Sequence, residues 1–264
     1  MKPNFICIGA QKSGTTWLHK WFSSRDDIFV PEKIKEIMYF DVEDNYKKGF
    51  DWYLNFFKKV KDDNLDLPVG EITPGYLWVS KEHPEWGAPS EFRQTVPDRI
   101  YNNLGRVKII CILRNPIDRA ISAYMHHLNK GRIKRGDTLL DVGHKHGIVH
   151  MGFYYSHLKK YVDVFGIENI KIFSYEDFFS DPNLRISVSE FISGRQDDGS
   201  ELLQNRVNKG LGFLRNDKGI LDDLGNSVAS KKDLLLLKEI YKKDVLDMRD
   251  LLNFDISSWS DFVD

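Results

Sequence analysis

The run Phe5-Ile-Cys-Ile-Gly-Ala-Gln-Lys-Ser-Gly-Thr-Thr-Trp-Leu-His19 admits few folds. Its apolar opening, closed by Gly9, reads as a buried strand. Ala10 to Gly14 reads as a tight loop, and Thr15 onward as the first turns of a helix. Such a unit aims backbone N–H groups and the positive end of a helix at one point, which suits an anion. Gly9 and Gly14 keep the spacing of G-x-x-x-x-G-K-[ST], but Thr15 stands where that pattern has its lysine. The lysine is Lys12, inside the loop. Ser13, Thr15 and Thr16 add hydroxyl donors. Together they match a nucleotide 5′-phosphate that carries an anionic leaving group. A magnesium site would pair the loop Ser/Thr with an Asp at the end of a second strand. No apolar run ending in Asp offers one, so a metal-independent site is expected.

Val107-Lys-Ile-Ile-Cys-Ile-Leu113 is a second apolar, β-branched run and reads as a buried parallel strand. Arg114-Asn-Pro-Ile-Asp-Arg-Ala-Ile-Ser-Ala-Tyr124 follows it, with Asn115 as N-cap and Pro116 at the first helical position. Arg114 then lies at the carboxyl end of a strand, where open α/β sheets bind ligands. Ser122, two turns into the helix, points back toward the same end.

The string Gln-Lys-Ser-Gly-Thr-Thr-Trp-Leu after a first strand resembles the 5′-phosphosulfate loop of sulfotransferases that use 3′-phosphoadenosine 5′-phosphosulfate (PAPS). The resemblance implies a P-loop-like three-layer α/β fold with a central, mainly parallel sheet flanked by helices, and no metal. It implies that Lys12, Ser13, Gly14, Thr15 and Thr16 bind the 5′-phosphosulfate and that Trp17 lies near the nucleotide. Leu-Arg-Asn-Pro-x-x-Arg-x-x-Ser-x-Tyr is similar to the family's 3′-phosphate motif, which assigns Arg114 and Ser122 to that group. Asn208-Lys-Gly-Leu-Gly-Phe213 is similar to the family's late glycine loop, implying Lys209 and Gly210, although a solvated Lys-Gly turn fits the same residues.

Sulfuryl transfer to a hydroxyl needs an in-line approach, a cation for the leaving phosphate and a base for the hydroxyl. Lys12 suits the leaving side. Glu36, in Lys33-Ile-Lys-Glu-Ile-Met-Tyr-Phe-Asp41, matches the catalytic glutamate of the glycan branch, the heparan sulfate enzymes among them. That glutamate precedes an x-x-[YF]-[FY]-Asp stretch. His83 and Glu71 stay open as sharers of the base role, and a surface ion pair of Glu36 with Lys33 or Lys35 is the plainer alternative. Gly70-Glu-Ile-Thr-Pro-Gly-Tyr76 resembles the family's Glu-Lys-Thr-Pro-x-Tyr segment, with Ile72 where the family has a further lysine. Glu71 and Thr73 are expected to line the site. Tyr76, Trp78 and Trp86 are candidates for an acceptor platform.

With 264 residues, 41% of them hydrophobic, the chain supports one α/β domain over 1–264. Lid-like insertions are expected at about 76–99 and 126–150. The net charge of −1 points to neither nucleic acid nor an anionic membrane. Cys7 and Cys111 fall in predicted strands and read as core thiols. No run of about 20 apolar residues spans a membrane. The first predicted strand leaves no room for a signal peptide, so a cytoplasmic location is expected. The histidines of 126–150 match no zinc spacing; a basic loop over the nucleotide or an anionic acceptor is expected ahead of a metal site, and a solvated loop ahead of both. Ser230 to Leu252 carries Leu234, Leu237, Tyr241, Val245, Met248 and Leu252 at helical spacing. The reading is a PAPS-dependent O-sulfotransferase acting on a hydroxyl-bearing carbohydrate, glycolipid or small molecule. A P-loop kinase or NTPase and a non-catalytic nucleotide-binding protein of the same fold are the alternatives.

Overall fold

The expected first strand forms as β1 (Phe5–Gly9) and becomes an inner strand of a four-stranded sheet. The computed structural model describes residues 1–59, 67–197, 214–222 and 224–263. The sheet is completed by β2 (Gly70–Ile72), β3 (Lys108–Leu113) and β4 (Ile170–Ser174), in the order β2-β1-β3-β4. Every pairing is parallel, with Phe5 beside Gly70 on one side and beside Lys108 on the other. Parallel strands need crossover connections, and helices supply them. The crossovers carry α1 (Thr15–Ser23), α2 (Val96–Leu104), α3 (Pro116–Asn129) and α4 (Tyr154–Phe165), and after β4 come α5 (Tyr175–Ser180), α6 (Pro182–Ser193) and α7 (Lys231–Leu252).

Side chains alternate across the strands, so each face of the sheet builds its own core. Phe5, Cys7, Ile110 and Ile112 pack against Trp17, Leu18, Trp21 and Phe22 of α1 and Val188 and Ile192 of α6. Ile6, Ile8, Ile109, Cys111 and Leu113 face the other way, onto α3, α4 and α7. The result is a three-layer α/β fold. Because α1 and α3 leave β1 and β3 for opposite faces, a crevice opens at the carboxyl ends of these neighbouring strands. Both cysteines are buried free thiols. Among the described residues no helix is long and apolar enough to cross a membrane.

Two features fall outside the sequence reading. Leu214–Asn216, Gly219–Leu221 and Ser227–Ser230 form a small antiparallel sheet, β5-β6-β7. Ile220, Val228 and Ala229 join it to the core beneath α7. The segments expected as lids are packed rather than open. Leu77 and Val79 are fully buried, as are Leu139, Ile148 and Val149. Thr138 and Asp141 close a capping box, and Tyr124 donates to the Asp137 carbonyl at 2.6 Å. The reason is that apolar residues within these stretches find core partners which local periodicity did not expose.

Candidate active site

The loop after β1 is shaped by backbone geometry. Lys12 has φ 71° and Gly14 has φ 83°, both left-handed. A Cβ on Gly14 would also stand 2.5 Å from the Phe179 ring, so glycine is required twice over. α1 then starts with no side-chain N-cap and no acidic residue in its first turn. Its leading N–H groups and positive end are left for an external anion. Ser13 is fully buried, and its Oγ has no hydrogen-bond partner among the described residues. Thr15 is buried and Thr16 partly exposed on the first turn.

Arg114 leaves β3 at the same edge. The Tyr154 hydroxyl donates to its carbonyl at 2.9 Å, and its guanidinium lies 5.2 Å from the centre of the Tyr175 ring. Asp118 Oδ2 stands 3.9 Å from the guanidinium, while Arg114 Nε is buried with no hydrogen-bond partner among the described residues. Asn115 caps α3 by accepting from Ile117 N–H at 3.0 Å. Burial, then the fields of Lys35, Arg114 and Arg119, pull the Lys12 pKa below that of an ordinary lysine. Two motifs far apart in sequence thus feed one cationic patch. An anion there would neutralise it and give the buried Ser13 hydroxyl and Arg114 Nε the acceptor they lack.

Glu36 lies at the edge of this patch, its side chain 37% exposed. Lys35 Nζ donates to Glu36 Oε1 at 2.8 Å and reaches Thr15 Oγ1 at 3.4 Å. Ser122 is half-buried on α3. One turn beyond it, burial and then the Lys12 charge lower the His126 pKa, while Glu36 pulls it the other way. The face of α3 shared by Ser122 and His126 therefore looks toward the loop and Glu36.

Other expected residues are engaged by the protein's own packing. Trp17 is a core side chain, 5% exposed, with ring centroids 5.3 Å from Trp21 and 5.4 Å from Phe179. His83 stacks on Phe153 at 3.8 Å. Glu71 and Thr73, expected to line the site, are fully buried, and so is Tyr76, which removes it from an acceptor platform. Trp78 donates to His150 Nδ1 at 3.1 Å instead of facing a ligand. Lys209 and Gly210 lie outside the described residues. Among the described residues no three His, Cys, Asp or Glu side chains are grouped to hold a metal ion. Three nearby groups had no place in the expected site: Lys35 entered only as an ion-pair partner of Glu36, which it is, His126 only as part of the 126–150 loop, and Arg119 only within the second motif's string. Arg119 is fully buried on α3 and donates to the Gly147 and Ile148 carbonyls. Lys35 had a signal in its adjacency to Glu36, whereas Arg119 and His126 had none beyond sharing the second motif's helix.

Comparison with known proteins adds an independent line. A sulfotransferase domain model matches residues 2–208. A bifunctional heparan sulfate N-deacetylase/N-sulfotransferase of Drosophila melanogaster is 33% identical over 50% of this chain and 12% of its own. The membrane-associated sulfotransferase kil1 of Dictyostelium discoideum is 34% identical over 52% of this chain and 25% of its own. Heparan sulfate glucosamine 3-O-sulfotransferase 5 of Mus musculus is 27% identical over 71% of this chain and 52% of its own. The chain thus spans at most about half the length of these relatives. A crystal structure of a sulfotransferase from Alicyclobacillus acidocaldarius shares the fold, with TM-score 0.67, 24% identity and coverage of 98% of this chain and 99% of that one.

Proposed function

The chain belongs to the sulfotransferase family, and from that premise we propose that it moves the sulfuryl group of PAPS to a hydroxyl of a carbohydrate acceptor, with Glu36 as general base. One observation carries the proposal: Lys35 links Thr15 of the loop to the Glu36 carboxylate, at 3.4 and 2.8 Å, beside the patch that Lys12 and Arg114 share. A kinase or NTPase reading is set aside by the family match.

In this reading Lys12, Ser13, Gly14, Thr15 and Thr16 would hold the 5′-phosphosulfate, and Arg114 with Ser122 the 3′-phosphate. PAPS supplies an activated sulfuryl group on a phosphate that can leave. As the acceptor oxygen bonds to sulfur, the bond from sulfur to the bridging phosphate oxygen breaks. Glu36 takes the hydroxyl proton. Lys12 and the N–H groups opening α1 stabilise the charge that grows on the departing phosphate. Heparan sulfate enzymes among the relatives support a carbohydrate acceptor, and they transfer to nitrogen as well as oxygen. A neutral amine attacks unaided and sheds its proton afterwards, whereas an alcohol needs the base in place as it attacks.

The test is transfer of labelled sulfate from PAPS to matched hydroxyl- and amine-bearing glycans, run beside Glu36→Gln. The variant is expected to bind adenosine 3′,5′-bisphosphate as before and to lose turnover by about 10²–10⁴-fold. Undiminished turnover would sink Glu36 as the base. Transfer to the amines alone would sink the hydroxyl acceptor.

A further inference from the structure

Three residues after Glu36 the backbone is held by a buried polar hub. The Tyr76 hydroxyl accepts from Tyr39 N–H at 3.0 Å and from Phe40 N–H at 3.3 Å, and it donates to Glu71 Oε1 at 3.1 Å. Glu71 also accepts from the Tyr53 hydroxyl on Oε1 and from the Thr73 hydroxyl on Oε2, each at 2.8 Å. Tyr53, Glu71, Thr73 and Tyr76 are all 0% exposed. A phenol has one proton to give. With two backbone N–H groups aimed at its oxygen, that proton must go elsewhere, and the Glu71 carboxylate receives it. Hydrophobic packing alone would ask only for a ring at position 76. Four polar partners disposed around one oxygen and one carboxylate ask for a fixed geometry.

The hub is anchored to the strand that carries the loop. Glu71 lies on β2 opposite Ile6 of β1, and Thr73 N–H donates to the Cys7 carbonyl at 3.0 Å. A second tie runs in parallel, since Arg93 joins Asp41 Oδ2 at 3.0 Å to the Gly75 carbonyl at 3.1 Å. The fit there is close, because a Cβ on Gly75 would stand 2.5 Å from Asp41 Oδ2. The backbone of 39–41 is thereby locked to β1 and β2, and Glu36 lies three residues before it, across Ile37 and Met38, whose carbonyls accept from the Asn45 side chain at 3.4 and 3.2 Å.

We propose that Tyr76 and Glu71 are positioning residues, which set Glu36 against the phosphate loop by clamping the backbone that follows it. The proposal rests on the reading of Glu36 as base. Glu71 itself takes no part as a base, since both its oxygens are engaged by buried hydroxyls.

Tyr76→Phe removes the hydroxyl and keeps the ring. Tyr53→Phe takes a hydroxyl from the same Glu71 oxygen, but not one bonded to the 39–40 backbone. Both variants are made on the wild-type chain and on Glu36→Gln. Measured are kcat, KM for PAPS, affinity for adenosine 3′,5′-bisphosphate, and melting temperature. Tyr76→Phe is expected to lower kcat by roughly 10- to 100-fold, the scale of a misplaced catalytic group. Its KM for PAPS and its nucleotide affinity should stay near wild type, and Tyr53→Phe should lose much less kcat. On Glu36→Gln the Tyr76 effect should vanish, because the group it positions is gone. Equal kcat losses in the two Phe variants would overturn the proposal, as would an undiminished Tyr76 effect on Glu36→Gln or no effect at all. An active Glu36→Gln would remove the base and the proposal together. A dead Glu36→Gln beside a fully active Tyr76→Phe would remove the positioning role alone. If Tyr76→Phe does not fold, Glu71→Gln serves in its place, and a kcat loss without a change in nucleotide affinity is again the supporting result.

Discussion

Gly14 is held by two separate requirements, a φ of 83° and the Phe179 ring 2.5 Å from where a Cβ would sit. Left-handed strain and overpacking together predict that Gly14→Ala loses about 2–4 kcal/mol of stability in urea unfolding. Nucleotide affinity should fall with it, since the loop's N–H groups would be re-aimed. A loss below about 1 kcal/mol would mean the loop yields more easily than its geometry implies. The need for glycine here was legible in the sequence, because the spacing from Gly9 spans one loop. Glu71 shows the opposite. Its neighbours suggested a site-lining acid, yet it is buried beneath three hydroxyls. Whether a carboxylate faces solvent or a hub depends on which elements pack over it, and Tyr53 and Tyr76 arrive from separate ones.

Helix caps divide along the same line. Asn115 caps α3 from the adjacent position, as its place before Pro116 predicts, and Ser230 closes a capping box on α7 with Asp233. α4 has no side-chain cap of its own. Asp244 of α7 supplies it, accepting from Tyr155 N–H at 2.9 Å and Ser156 N–H at 3.0 Å. Asp244→Ala should therefore cost about 1–3 kcal/mol, by leaving two N–H donors at a buried helix end unpaired. Hydrogen exchange should locate the loosening in the first turn of α4, and uniform loosening would contradict a capping role. The long α7 was itself legible from its periodic apolar face. That one of its buried positions holds a carboxylate for another helix was not.

At the scale of the whole molecule, buried titratable groups oppose one another. Burial raises the Glu71 pKa from 4.5 to about 7 and the Asp244 pKa from 3.8 to about 6. In both, the folded state binds the proton more tightly, so their contribution to stability grows as pH falls through these values. Burial lowers the His150 pKa from 6.5 to about 4 and the His127 pKa to about 3, and holds His157 far down as well. These histidines give stability above pH 6.5 that is lost on acidification. The two sets partly cancel in the wild type. Glu71→Gln removes one side of the balance, so its deficit relative to wild type should widen by about 3 kcal/mol between pH 8 and pH 4. Parallel urea-unfolding series at the two pH values check this, and a constant deficit would show that Glu71 is not held up as described. What the sequence alone determined is local: the two strand–loop–helix units, the Asn115 cap of the second, the periodic helices and the places of Lys12 and Arg114 after their strands. Each depends on residues within a few positions of one another. Only the tertiary structure decided that Lys35 ties Glu36 to Thr15, that Glu71 is a hub and that residues 214–230 add an antiparallel sheet. Those outcomes depend on charge, burial and pairing between elements distant in the chain, and only the packed fold brings them together.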